Sequence, residues 1–210
     1  MNLTLEQFRK HRHRYLPLLD RLKTLFGEMD QAYTSVARRY GFHCNGCADN
    51  CCLTRFYHHT LLEYLYLLEG VGTLDPTIRQ AVDRQAQSAG QPMAAADCRD
   101  EALRIMCPLN LDERCILYPY RPMICRLHGI PHELQRPGGH SVKNPGCDAF
   151  FDQCRESGRT SYIRFDRTPY YRQMAMLENE LRSATGYRGK IKLTIAQMLA
   201  TITESTHEID

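Results

Sequence analysis

Residues 107–154 carry Pro108, Pro119, Pro122, Pro131, Pro137 and Pro145 together with Gly129, Gly138, Gly139 and Gly146. Proline lacks an N–H and fixes φ, and glycine gives up backbone order at the highest entropic cost, so regular structure cannot persist far through such a segment. The same stretch holds Cys107, Cys115, Cys125, Cys147 and Cys154, and a tighter group, Cys44, Cys47, Cys51 and Cys52, lies upstream. An irregular region this long needs something besides apolar burial to fix it. Thiolates are the strongest soft ligands a protein owns, and the free energy of metal binding becomes folding free energy.

The chain has 210 residues, 10 of them cysteine. Whether those cysteines form disulfides or bind metal depends on compartment. The opening residues, MNLTLEQFRKHRHRYLPLLD, are charged throughout and lack the apolar run of a secretory signal. No stretch approaches the roughly 20 apolar residues of a membrane span. The expectation is a cytoplasmic chain with no membrane partner, in which cysteine clusters bind metal or do redox chemistry. A net charge of +3 argues little for a nucleic-acid partner. The basic run Arg9-Lys10-His11-Arg12-His13-Arg14 reads first as a solvated helix face.

Around the cysteines the signals are helical, which predicts a mainly α protein: a small helical body with an irregular, loop-rich, metal-stabilised cysteine region. One domain is expected, with N-terminal helices over 1–42, the cysteine-cluster region over 43–155 and C-terminal helices over 156–210. Leu18, Leu19, Leu22, Leu25 and Phe26 recur at helical spacing, and Thr4 with Gln7 suits a capping box. Pro17 and Gly27 interrupt the pattern and predict two helices rather than one. Thr54 or Thr60 starts the next helix, which ends at Gly70. Asp75-Pro76 opens another, over 76–88, followed by a loop over 89–97. Thr168-Pro169 opens a helix to about Ser183, with Met176 among its apolar positions, and a last helix spans 192–203.

The first cluster reads Cys44-x2-Cys47-x3-Cys51-Cys52. The two-residue gap lets Cys44 and Cys47 turn toward one ion. Side chains of adjacent residues diverge, so Cys51 and Cys52 either serve different ions or divide between ligand and packing. Cys107, Cys115 and Cys125 are too widely spaced for a local knuckle and must meet the first cluster through the fold. Four thiolates around a divalent zinc, or around an oxidised four-iron cluster, carry a net charge of −2. Arg121 and Arg126 flank Cys125 and Arg114 precedes Cys115, and guanidinium groups there would offset that charge. His43 and His128 neighbour cysteines and are candidate ligands of a mixed site, ahead of His58 and His59. Cys98 reads as structural, and Cys154 as either ligand or packing.

The order CxxC-x3-CC, then Cys107-Pro108-Leu109, then Cys115-Ile116-Leu117-Tyr118-x2-Arg121-Pro122-x2-Cys125-Arg126, resembles the bacterial YkgJ-like cysteine-cluster proteins, described as a zinc- or iron-chelating domain. The resemblance covers about residues 43–150. It implies Cys44, Cys47, Cys51, Cys52, Cys107, Cys115, Cys125 and Cys147 as metal ligands. The gap before the double cysteine is three residues here and two in the family's motif. The pattern is also similar to that of flagellin lysine N-methylases, which implies an iron–sulfur cluster, of the four-iron type, ahead of zinc. A shared motif does not transfer the methylase activity.

Three functions follow as expectations. The first is a metal-binding protein with a structural or redox centre. The second is a cluster-dependent methyltransferase that uses S-adenosylmethionine on protein lysine, with Tyr118, Tyr120 and His128 as nearby candidates for catalysis. The third is a zinc-stabilised module for nucleic acid or protein. No GxGxxG and no CxxxCxxC supports the second. A metal ion or cluster is the expected partner, and a protein partner is left open.

Overall fold

The computed structural model describes residues 12–44, 51–99, 103–136, 138–158 and 161–203. They form a mainly helical fold of seven α-helices and two small hairpins. The suggested cap at Thr4 and the basic run over 9–11 lie outside the described residues.

Helix α1 (Leu16–Tyr40) is continuous, where two helices were expected. Pro17 stands in its first turn, where a missing N–H breaks no helical bond. Gly27 faces open space, and its cost of about 1 kcal/mol is outweighed by the buried stripe of Leu18, Leu22, Leu25, Phe26 and Met29. The helix ends in a Schellman motif. Gly41 adopts φ 69, its N–H reaches the Arg38 carbonyl at 3.0 Å, and the Phe42 N–H reaches Ala37 at 2.9 Å.

Helix α2 (Leu61–Val71) is apolar nearly all round and is buried as the centre of the fold. Thr60 caps it, its hydroxyl accepting from the Glu63 N–H at 3.2 Å. Glu178 of helix α6 (Thr168–Thr185) caps it from outside, its two carboxylate oxygens accepting from the Leu61 and Leu62 N–H groups at 2.9 Å each. A carboxylate on the positive end of a buried helix locks α2 to α6. On α6 itself Met174, Leu177 and Leu181 are buried, but Met176 points outward, off the apolar stripe.

Helix α3 (Pro76–Arg99) starts as Asp75-Pro76 predicted, with the Asp75 carboxylate accepting from Thr77 at 2.8 Å. It then runs straight through the expected loop and past Pro92. Its partner explains this: α7 (Ile195–Thr203) packs along it, with Ala89, Met93 and Ala196 buried together and Gly90 against Ala200. Small residues allow close approach, and that burial offsets the roughly 3 kcal/mol of an internal proline.

The breaker-rich segment is not adrift. It forms β1 (Asn110–Leu111) paired with β2 (Arg114–Cys115), helix α4 (Met123–Leu127), β3 (His132–Gln135) paired with β4 (Ser141–Asn144), and helix α5 (Asp148–Glu156). Asp112 and Glu113 hold φ 50 and 64, as a two-residue hairpin turn requires. Leu109, Leu117, Leu127 and Ile130 enter the same core as α1 and α2. Apolar anchors thus hold a region whose order the sequence assigned to metal alone. No helix among the described residues is long and apolar enough to cross a membrane.

Candidate metal centre

Seven cysteines, Cys44, Cys51, Cys52, Cys107, Cys115, Cys125 and Cys147, line a single cavity of about 700 Å³. Each is placed by a different local device. The chain leaves α1 through Gly41, with Phe42 buried and the His43 N–H bonded to Gln153 of α5 at 2.9 Å, which sets Cys44 at the rim. Cys51 and Cys52 lie in a short 3₁₀ turn, Cys51–Leu53. The Cys107 amide bonds to the Cys52 carbonyl at 2.9 Å and joins the two cysteine segments. The hairpin then returns Cys115 opposite Asn110.

Cys125 sits in the middle of α4. That helix is oriented by Glu63, whose buried carboxylate accepts from the Met123 amide at 2.8 Å. The Tyr120 ring before it lies on Gly70, where a Cβ would fall 2.5 Å from its Cγ. Cys147 precedes α5, its amide bonded to the Gly129 carbonyl at 2.9 Å. Gly129 has φ 118 and lies under the Tyr33 hydroxyl, with no room for a side chain.

The sulfurs divide by neighbourhood. Cys107, Cys115 and Cys125 feel the charge of Cys52 and of one another, Cys147 and Tyr33 feel that of Cys44, and Cys51 feels both groups. Burial pushes the thiols of Cys107, Cys115, Cys125 and Cys147 up. Backbone amides work against it: Leu109 on Cys107, Leu117 on Cys115, and Phe150 and Ala149 on Cys147 each favour the thiolate. Cys52 goes the other way. The Cys51 thiol and the Asn110 side chain donate to its sulfur and hold it below the ordinary thiol value. The hydrogen bond within the adjacent pair thus raises Cys51 and lowers Cys52.

Both flanking arginines reach the cavity wall. Arg126 is only 3% exposed. Its Nη1 pairs with Asp30 at 2.6 Å, its Nε donates to the Arg121 carbonyl at 2.8 Å, its Nη2 donates to the Pro119 carbonyl, and its face lies 4.2 Å from the Phe26 ring. Arg121 shares Asp30 at 3.3 Å and stacks 3.6 Å from the Tyr118 ring. Its Nε is buried and has no acceptor. The charge of both lowers the Cys115 thiol. Spare guanidinium charge and an orphaned donor beside a ring of sulfurs suit an anionic, sulfur-ligated group.

His43, His58 and His128 line the cavity, and His59 does not. Burial lowers His128 and, to about 4, His58. Tyr118 also lines it, whereas Tyr120 is spent on packing. Cys154 is buried in the apolar core and does not line the cavity. Cys47 lies outside the described residues, and Cys98 falls in the last turn of α3. The eight described cysteines whose side chains are placed form no disulfide. Among the described residues no three His, Cys, Asp or Glu groups stand close enough to hold one ion: the sulfurs ring the cavity rather than meet at a point. Sequence reasoning missed Tyr33, Asn110 and Glu63. Nothing local marks them, because each acts across the fold.

No protein-family model, no curated protein and no solved structure matches this chain.

Proposed function

We propose that this protein holds a thiolate-ligated metal centre, an iron–sulfur cluster ahead of zinc, in the cysteine-lined cavity. The observation that carries the reading is that seven cysteines spread from Cys44 to Cys147 line one cavity. Free thiols gain nothing from such assembly, since burial disfavours their reactive form. Cys52, Cys107, Cys115 and Cys125 are the principal candidate ligands, and they would have to close from the cavity wall onto the ion to hold it. Cys44, Cys51 and Cys147 form a second group on the same cavity, to which the Cys44-x2-Cys47 spacing adds Cys47 from outside the described residues. Arg121 and Arg126 supply countercharge, and the Leu109 and Leu117 amides support the thiolates. An iron–sulfur cluster would provide one-electron transfer, and zinc would provide cross-linking alone. The preference for iron rests on the motif resemblance.

Anaerobic purification tests this. A brown protein absorbing near ~400 nm with stoichiometric iron and sulfide supports the cluster. A colourless protein with stoichiometric zinc reverses the order. A folded protein with neither metal ends the reading.

A second reading, catalysis beside the centre, is favoured by the cavity itself. At about 700 Å³ it has substrate dimensions, and Phe56, Met93, Ile105 and Ile195 extend its wall beyond the sulfurs. The methyltransferase version predicts transfer of label from S-adenosylmethionine to a protein lysine.

A further inference from the structure

Arg167 precedes α6 and is 1% exposed, among the most completely buried large side chains of the molecule. Its Nε and Nη2 meet no hydrogen-bond acceptor. No carboxylate among the described residues pairs with it. The neighbours that sense its charge are Tyr33, Tyr171, His128 and His132, none of which is an anion at neutral pH. The Phe165 ring, 5.8 Å away, gives a weak cation–π contact but no negative charge. A fully buried, unpaired guanidinium is among the most costly groups a fold can contain. Such a group calls for a physical account.

Its position supplies one. Tyr33 and His128 line the cysteine cavity, and the Phe165 ring links Tyr33 to Arg167, standing 6.5 Å from the Tyr33 ring and 5.8 Å from the guanidinium; both cavity residues also sense the Arg167 charge. Tyr33 in turn senses Cys44 and Cys147 on its other side. The remaining buried charge points the same way. Arg121 and Arg126 share one carboxylate, Asp30. Glu63, the buried acid nearest Cys125, is itself pushed toward its neutral form by burial. The protein behind the sulfurs thus carries guanidinium charge that its own carboxylates do not match.

We propose that Arg167 is the buried countercharge of the centre: it sits unpaired behind Tyr33 and His128 because the occupant of the cavity is anionic. The inference rests on the proposed thiolate centre and adds the sign of its charge and the residue that answers it. Arg167 touches no ligand in this account. It acts as a positioning residue through the field it sets across Tyr33 and His128. Four thiolates with zinc or with an oxidised four-iron cluster carry a net charge of −2, which more than balances one guanidinium. The consequence is a reversal of sign. Without metal the Arg167 charge destabilises the fold, and with metal it strengthens binding.

The test compares the wild type with Arg167→Met, Arg167→Gln and Arg167→Lys, each with metal loaded and with metal removed by chelation. The neutral variants are expected to melt higher than wild type in the metal-free form. They are expected to bind metal about tenfold more weakly in competition with a chromophoric chelator. Arg167→Lys keeps the charge and should stay close to wild type in affinity. If the centre is a cluster, its midpoint potential should fall in the neutral variants, because lost positive charge disfavours the reduced form. Lower melting of both neutral variants with and without metal would overturn the proposal and leave a packing role, as would unchanged affinity. Metal content of the wild type is read separately: none there would remove the centre itself, whereas a loaded wild type with unmoved variants would remove only the role of Arg167.

Discussion

The amide of Cys107 donates to the carbonyl of Cys52 at 2.9 Å. That one bond ties the first cysteine segment to the second and brings the double cysteine against the hairpin that carries Cys115. Around it the sulfur of Cys52 accepts from the Asn110 side chain, so a single junction sets both the position and the ionisation of the thiolate.

Removing that thiolate or its partner on α4 should empty the site without collapsing the core. Cys52→Ser and Cys125→Ser are each expected to lose most bound metal, by elemental analysis. α1, α2 and α6 should stay folded, because Leu22, Leu62 and Leu181 are buried independently of the sulfurs. Unchanged metal content in both variants would refute the ligand assignment.

Metal loading should release protons. Cys107, Cys115 and Cys125 are held in the thiol form by burial, and Cys52 already leans to the thiolate. Filling the principal set then expels about three protons, and affinity should rise with pH accordingly. Calorimetric titration in buffers of different ionisation enthalpy counts them. No buffer dependence would contradict the thiol states described above.

His58 should make the fold acid-sensitive. It is 2% exposed, and burial lowers it from 6.5 to about 4. The unfolded chain therefore binds the proton more readily across that interval. Stability is fully present above about pH 6.5 and falls as the pH drops toward 4, by on the order of 3 kcal/mol. Denaturant titrations of the wild type and His58→Phe at several pH values check this: the variant should have a flatter profile over the interval.

Gly129→Ala should be strongly destabilising. The position has φ 118, and an added Cβ would lie 2.6 Å from the Tyr33 hydroxyl. Backbone strain and the clash together predict a loss of about 2–3 kcal/mol, read as a lowered thermal midpoint. Because Gly129 holds the Cys147 amide, metal affinity should fall as well. Gly27→Ala, at an open helical position, should instead be neutral or slightly stabilising.

Asp30→Ala should uncover the cost of Arg126. The guanidinium keeps its carbonyl acceptors but loses its carboxylate while remaining buried, which predicts a loss of about 2 kcal/mol in urea unfolding. A change within error would mean that the Phe26 face and the carbonyls suffice.

Local signals in the chain account for about half of the architecture. Helical periodicity placed α2 and α6, and Asp75-Pro76 and Thr168-Pro169 marked helix starts. Residue type alone named seven cysteines that line one cavity, because the chemistry of a side chain is written in the chain. Tertiary structure decided the rest. Pro17, Gly27 and Pro92 look like breaks when read locally, yet α1 and α3 run through them, since burial against other helices outweighs local propensity. The unequal thiols of Cys51 and Cys52 come first from the hydrogen bond between them, with Asn110 adding to it, and the core around Cys154 keeps it off the cavity wall. Arg167 carries no signal in sequence. An arginine is unremarkable until the fold removes it from water and gives it no acid, because desolvation and charge pairing depend on which distant residues are brought near.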